Sequence, residues 1–300
     1  MIQFKIHKDK VINTGDVDRI GYPLKDIIPT FPEDYDGWFP FTRMCFSLGD
    51  WAIISGLPEA LKLKYPKIKI AIPSRNYLEK IFGMVIGQWK YGNNNPLDYV
   101  DFVFKNNPYI DYRFEPNDFD IIYTDHERAY TDDINIPLVE QILLRFGFTL
   151  DEIKKYNSKP NLYFNNDENF DFFTEEDYGC LLFASRIKKL KGRWDDKYLL
   201  KEARKYKDTP VYYYSEFDLK DTEWDELFPI SYNFADLSYN LRQQMLIKSR
   251  AKFNIGYQAG INDAISRYSD NIILTPYDNV KENIIRNVKY IHLDGQIKQI

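Results

Sequence analysis

The sequence predicts an α/β chain built from two doubly wound, parallel-sheet domains. Three observations predict this. Short β-branched or aromatic runs alternate with helical-period stretches, the succession that builds parallel βαβ units. The alternation pauses at Ser158–Asp171, SKPNLYFNNDENFD, where Pro160 and an Asn/Asp cluster mark a linker, and then restarts. A length of 300 residues accommodates two domains of ordinary size. The expected division is residues 1–40 as an N-terminal extension packed on the first domain, 41–165 as that domain and 166–300 as the second.

In chain order, residues 1–40 are polar and turn-rich, with Pro23, Pro29, Pro32 and Pro40. Phe31–Phe41 has no helical period and reads as a long loop or an extra hairpin. A strand is expected near Thr42–Ser47 and a helix near Ile53–Lys64. The alternation in KIKIAI makes Lys67–Ile72 a strand, with a helix near Asn76–Ile86. Tyr99–Phe104 and Asp120–Tyr123 read as short strands, and Leu138–Phe146 as a helix. Past the linker, strands are expected at Tyr178–Ala184, Val211–Tyr214, Lys252–Gly256 and Ile272–Leu274. Helices are expected at Lys197–Tyr206, Leu241–Arg250 and Asn262–Arg267.

Composition bounds the function. Hydrophobic content of 44% with 28% charged residues reads as globular. Aromatics reach 17%, with 24 Tyr and 21 Phe, which suits either aromatic cores or partly wet stacking sites. A net charge of −5 argues against a non-specific nucleic-acid coat, yet leaves room for a local basic groove. Cys45 and Cys180 lie in apolar runs and read as buried strand thiols, not as a disulfide framework or a zinc site, so a reducing cytoplasm is the expected setting. The charged start MIQFKIHKDK does not read as a signal peptide, and no run of eighteen apolar residues offers a membrane span.

Five segments carry candidate chemistry. Gly49–Asp50 follows the first core strand and opens an amphipathic stretch, so Asp50 reads either as a general base or as the N-cap of the helix. The two roles pull apart, because a carboxylate held by helix N–H groups is the weaker base. ASRIKKLKGRW, Ala184–Trp194, brings Arg186, Lys188, Lys189, Lys191 and Arg193 to the carboxyl end of a buried strand. It reads as a diphosphate cradle or as a solvated charge run. In FNIGYQAGINDA, a strand runs into Gly260 and a helix, where small residues let backbone N–H groups reach a phosphate or simply make a tight turn. TDHER places Asp125, His126 and Arg128 after a strand, as a polar acceptor site or a surface loop. Asp118 and Asp120 form a DxD pattern of the kind that holds a divalent metal and a diphosphate, short enough to arise by chance.

These segments together resemble the ADP-heptose:lipopolysaccharide heptosyltransferase-like glycosyltransferases, glycosyltransferase family 9. The matching stretches are GDWAIISGLPEALKLKYPKIKI, Leu138–Phe164, FASRIKKLKGRWDDKYLLKEA and IGYQAGINDAI, in that order, across roughly residues 41–280. The chain departs from the family's pattern at Gly56, where the family has proline, at Gln258, where it has an acidic residue, and at Asp263, where it has histidine.

The resemblance implies a GT-B-like fold, two Rossmann-like domains facing a cleft. The first domain would take the acceptor and the second a nucleotide-sugar. It implies sugar transfer without a metal or cofactor, with Asp50 as the base for the acceptor hydroxyl. Lys188, Lys191 and Arg193 would neutralise the departing diphosphate, and Gln258, Ala259, Gly260 and Ile261 would hold it. Asp125, His126 and Arg128 are the acceptor-side candidates. Two acceptor classes follow: a surface glycan, or a hydroxymethylated base in DNA, the second suited to the phage-like, AT-rich wording and to a phage-infected host's cytoplasm. The departures at Gln258 and Asp263 motivate an alternative, a non-catalytic nucleotide-sugar-binding or structural protein. The sequence leaves the oligomeric state undecided.

Overall fold

Runs that alternate apolar and polar side chains become strands, and runs with an apolar residue every three to four positions become helices that cover them. A computed structural model of the chain describes residues 31–43, 47–86, 95–119, 122–125, 136–145, 147–156, 159–165, 168, 177–184, 196–275 and 288–298. Cys45, Asp120, His126, Arg128, Lys188, Lys191 and Arg193 lie outside the described residues. The chain divides into two units between Tyr163 and Phe164.

The first unit runs β1 (Trp38–Arg43), α1 (Leu48–Ile53), α2 (Leu57–Lys64), β2 (Lys69–Pro73), α3 (Arg75–Ile86), α4 (Tyr99–Phe104), β3 (Tyr112–Phe114), β4 (Tyr123–Asp125), α5 (Leu138–Arg145) and α6 (Leu150–Lys155). Its sheet has the order β3-β2-β1-β4, with every pair parallel. Phe39, Ile70, Ile72 and Phe114 are fully buried, and Trp51 packs edge-to-face on Phe104 with ring centroids 6.2 Å apart. Gly147, at φ 73°, closes α5 in the left-handed conformation that glycine adopts without strain. A Thr149–Glu152 capping box then opens α6.

Three expectations for this unit are corrected. Tyr99–Phe104 is a helix, not a strand. Its buried residues are Tyr99, Val100, Val103 and Phe104, a helical spacing hidden behind a β-rich composition. The Phe31–Phe41 segment is not all loop, because β1 begins at Trp38. Pro40 survives in this strand because β1 pairs with β2 along Trp38–Pro40 and with β4 only from Phe41 onward. The single helix expected near Ile53–Lys64 is two short helices, the first starting at Leu48, with Pro58 in the opening turn of the second.

The second unit runs β5 (Gly179–Phe183), α7 (Lys197–Ala203), β6 (Val211–Ser215), α8 (Glu223–Leu227), β7 (Ser231–Asn233), α9 (Leu241–Arg250), β8 (Phe253–Tyr257), α10 (Gly260–Ile265), β9 (Asp270–Thr275), β10 (Lys289–His292) and β11 (Ile297–Lys298). The sheet order is β11-β10-β9-β8-β5-β6-β7, parallel except for β11. Both faces are covered, as a parallel sheet requires. Leu181, Phe183, Ile255 and Tyr257 join Leu199, Ala203 and Trp224 in one core cluster. Cys180, Tyr212 and Ile247 belong to another. Successive strand residues thus point to opposite faces, and burial pushes the Cys180 thiol up to about 12.

The segment joining the units is anchored within each. The Asn161 amide donates to Ser55 Oγ at 2.7 Å in the first. In the second, Arg242 donates from Nε and Nη2 to the Glu168 carboxylate at 3.1 and 3.0 Å.

Candidate functional site

An open parallel sheet binds ligands at the carboxyl ends of its strands, where the order of strands reverses and the loops diverge. In the first unit the chain adds β2 and β3 on one side of β1 and then places β4 on the other, so the reversal lies between β1 and β4. In the second it adds β6 and β7 on one side of β5 and returns to place β8 on the other, so the reversal lies between β5 and β8. Every segment expected to carry chemistry, the DxD pattern apart, follows one of these four strands.

At the first reversal, β1 and β4 end together, with Arg43 paired to Asp125. Among the described elements, α1 is the next after β1. Its N-cap is Ser47, not Asp50, and the Gly49–Asp50 pair lies inside the first helical turn instead of forming a turn before it. Asp50 is the third helical residue and completes a capping box. Its Oδ2 accepts the Ser47 backbone N–H at 2.7 Å, and Ser47 Oγ accepts the Asp50 N–H at 3.4 Å. The carboxylate is half-buried and held in orientation by the Ser47 amide. Asp125 closes β4, and the chain continues from it into His126 and Arg128. Sequence reading missed Ser47, although the Ser-x-x-Asp spacing of a capping box was there to be seen. At the start of β4, burial raises the Tyr123 phenol above its ordinary value.

At the second reversal, β5 ends at Phe183 and leads through Ala184 into the basic segment. Its neighbour β8 approaches closely, since a Cβ added at Gly256 would lie 2.1 Å from the Leu182 carbonyl oxygen. Gly256 is therefore needed in the strand for close approach, and β8 continues to Tyr257. Gln258 follows. Its N–H donates to the Leu274 carbonyl at 3.0 Å, and its Oε1 accepts from Thr275 Oγ1 at 2.6 Å. Asn262 Nδ2 donates back to the Tyr257 carbonyl at 3.0 Å. Gln258 and Ile261 are buried, while Ala259 and Gly260 are partly exposed. Thr275 and Asn262 carry no sequence signal of this role, because their partners are set by strand pairing and by the turn.

The structure thus pairs β1, which precedes Asp50, with β4, which ends at Asp125, and pairs β5, which precedes Ala184, with β8, which precedes Gln258. Asp118 belongs to neither. Its Oδ2 accepts from the Tyr112 hydroxyl at 2.9 Å and from the Glu115 N–H at 2.7 Å, which makes it the brace of a local turn.

No protein-family model and no curated protein matches the chain. Solved structures do. A glycosyl transferase family 9 protein from Veillonella parvula DSM 2008 is similar over 88% of this chain and 88% of that one, with 11% identity and a TM-score of 0.53. E. coli ADP-heptose lps heptosyltransferase II is matched over 86% of this chain and 90% of its own, at 15% identity and a TM-score of 0.45. With two Rossmann-like α/β units, each with its own strand-order reversal, the chain has a GT-B-like fold.

Proposed function

We propose that this protein is a glycosyltransferase that moves a sugar from a nucleotide-sugar to an acceptor hydroxyl without a metal. The observation that supports the reading is the coincidence of chemistry with topology. In the sequence, the carboxylate candidate follows β1, one strand of the first sheet's reversal, and a basic segment and a glycine turn follow β5 and β8, the two strands of the second's. In the reaction, Asp50 takes the proton of the acceptor hydroxyl as its oxygen bonds to the anomeric carbon of the sugar. The bond from that carbon to the diphosphate breaks, and a nucleoside diphosphate leaves with the electron pair. Lys188, Lys191 and Arg193 neutralise the charge that develops on it, the task a metal performs elsewhere. The turn from Gln258 to Ile261 receives the diphosphate. Asp125, which ends β4, and His126 and Arg128, which follow it in the sequence, serve the acceptor.

The acceptor we infer is a glycan hydroxyl, with DNA carrying hydroxymethylated bases assayed beside it. The test is turnover. Purified protein is given UDP-, GDP- and ADP-sugars with each acceptor class, with and without a chelator, and nucleoside diphosphate release is measured. The expected result is acceptor-dependent release that the chelator leaves unchanged. Donor binding with no release under any condition would sink the enzyme reading in favour of a non-catalytic nucleotide-sugar-binding protein. Release abolished by the chelator would sink the metal-free mechanism.

A further inference from the structure

The turn that leaves β8 is tied down by two inward-facing side-chain amides. Gln258 is the first residue past β8, and Thr275 is the last residue of the neighbouring β9. The Gln258 N–H is bonded to Leu274, and its Oε1 takes the hydroxyl hydrogen of the next residue, Thr275. Backbone and side chain therefore hold one residue to two consecutive residues of the adjacent strand. On the far side of the turn, Asn262 reaches back to the Tyr257 carbonyl. Gln258 is 4% exposed, Thr275 0% and Asn262 1%, so these bonds form away from water, where a missing partner is costly. Between the two ties lie Ala259 and Gly260, which remain partly exposed.

A glutamine whose carbonyl oxygen is turned inward onto a buried hydroxyl is placed to shape the backbone. A carboxylate there would put a charge into the same buried position, whereas the neutral amide accepts the Thr275 hydroxyl without that cost. We propose that Gln258 and Thr275 are a positioning pair: they set the conformation of the Gln258–Ile261 turn that receives the donor diphosphate, and Gln258 acts through the backbone instead of touching the donor with its side chain. The proposal rests on the donor-site reading given above.

Thr275→Val, which keeps the shape and removes the hydroxyl, tests it against Thr275→Ser, which keeps the hydroxyl. Two readouts are taken on the full chain: the Kd for UDP, GDP and ADP by calorimetry, and amide hydrogen exchange in the peptide spanning residues 258–262. Thr275→Val is expected to weaken the best-bound diphosphate about tenfold, the scale of one buried hydrogen bond. It should also speed exchange in the turn, and Thr275→Ser should restore both. A lower Tm in Thr275→Val with unchanged Kd and unchanged exchange would overturn the proposal and leave the pair a structural contact only. Faster exchange in Thr275→Val, with a wild type that binds none of the three diphosphates, would overturn the donor assignment while the hydrogen-bonded turn stands.

Discussion

Asp50 carries two demands that separate experimentally. As the third residue of α1 it accepts the Ser47 N–H, and as the proposed base it must also take a proton from a hydroxyl. Asp50→Asn retains an oxygen for the Ser47 N–H but cannot serve as the base. Transfer is expected to fall by at least about a hundredfold, the scale of general-base catalysis, with donor Kd within about twofold of wild type. Undiminished diphosphate release by this variant would remove the catalytic role. Ser47→Ala makes the opposite cut: loss of its Oγ should cost about 1 kcal/mol of stability, read as a lower Tm in thermal unfolding, while the carboxylate remains. The position of Asp50 next to a helix start was legible in the sequence. The reading of Asp50 as the N-cap was mistaken, because a Ser three residues upstream competes for the cap and takes it.

Strand pairing explains what single residues cannot. Gly256 lies where β8 and β5 meet at the second reversal, and a methyl group there would overlap the Leu182 carbonyl. Gly256→Ala is expected to cost about 2 kcal/mol or more, because backbone, unlike a flexible side chain, cannot give way cheaply. Chemical denaturation measures it, and a variant as stable as wild type would contradict the close approach. Most of these elements were legible in the sequence: Leu241–Arg250 is the helix the pattern predicts, and β2, β5, β6, β8 and β9 fall on the expected runs. The misreadings have separate local causes. Val100, Val103 and the neighbouring aromatics have β propensity, but their burial follows a helical period. Pro40 argues against a strand until the change of pairing partner beside it is known.

In the molecule as a whole, Lys248 stands out as a buried amine with no chemistry assigned to it. It is 0% exposed, and its Nζ has no hydrogen-bond partner among the described residues. Burial lowers its pKa from 10.5 to about 8, opposed by the nearby Cys180. Below pH 8 both folded and unfolded chains carry the proton, and the fold bears the full cost of the buried charge. Between about pH 8 and 10.5 the unfolded chain binds more protons, so this group's contribution to stability rises with pH. Lys248→Met should therefore stabilise the protein most below pH 8, by a few kcal/mol (on the order of 3), with the gain shrinking as pH rises toward 10.5. Denaturation of both proteins across that range measures it, and a pH-independent difference would refute it.

The α/β class, the restart of the pattern after the linker and the order of the candidate segments are written in local periodicity and turn residues, which a chain displays without reference to distant neighbours. Strand order is not written there, since which strand lies beside β1 or β5 depends on pairings between residues far apart in the chain, and these leave no period behind. The same holds for the bond between Gln258 and Thr275, 17 positions apart, made only because β8 and β9 lie side by side. The candidate residues could be named from the sequence. That the strands preceding their segments flank two strand-order reversals required the sheets, because a reversal is a property of how strands are arranged in space.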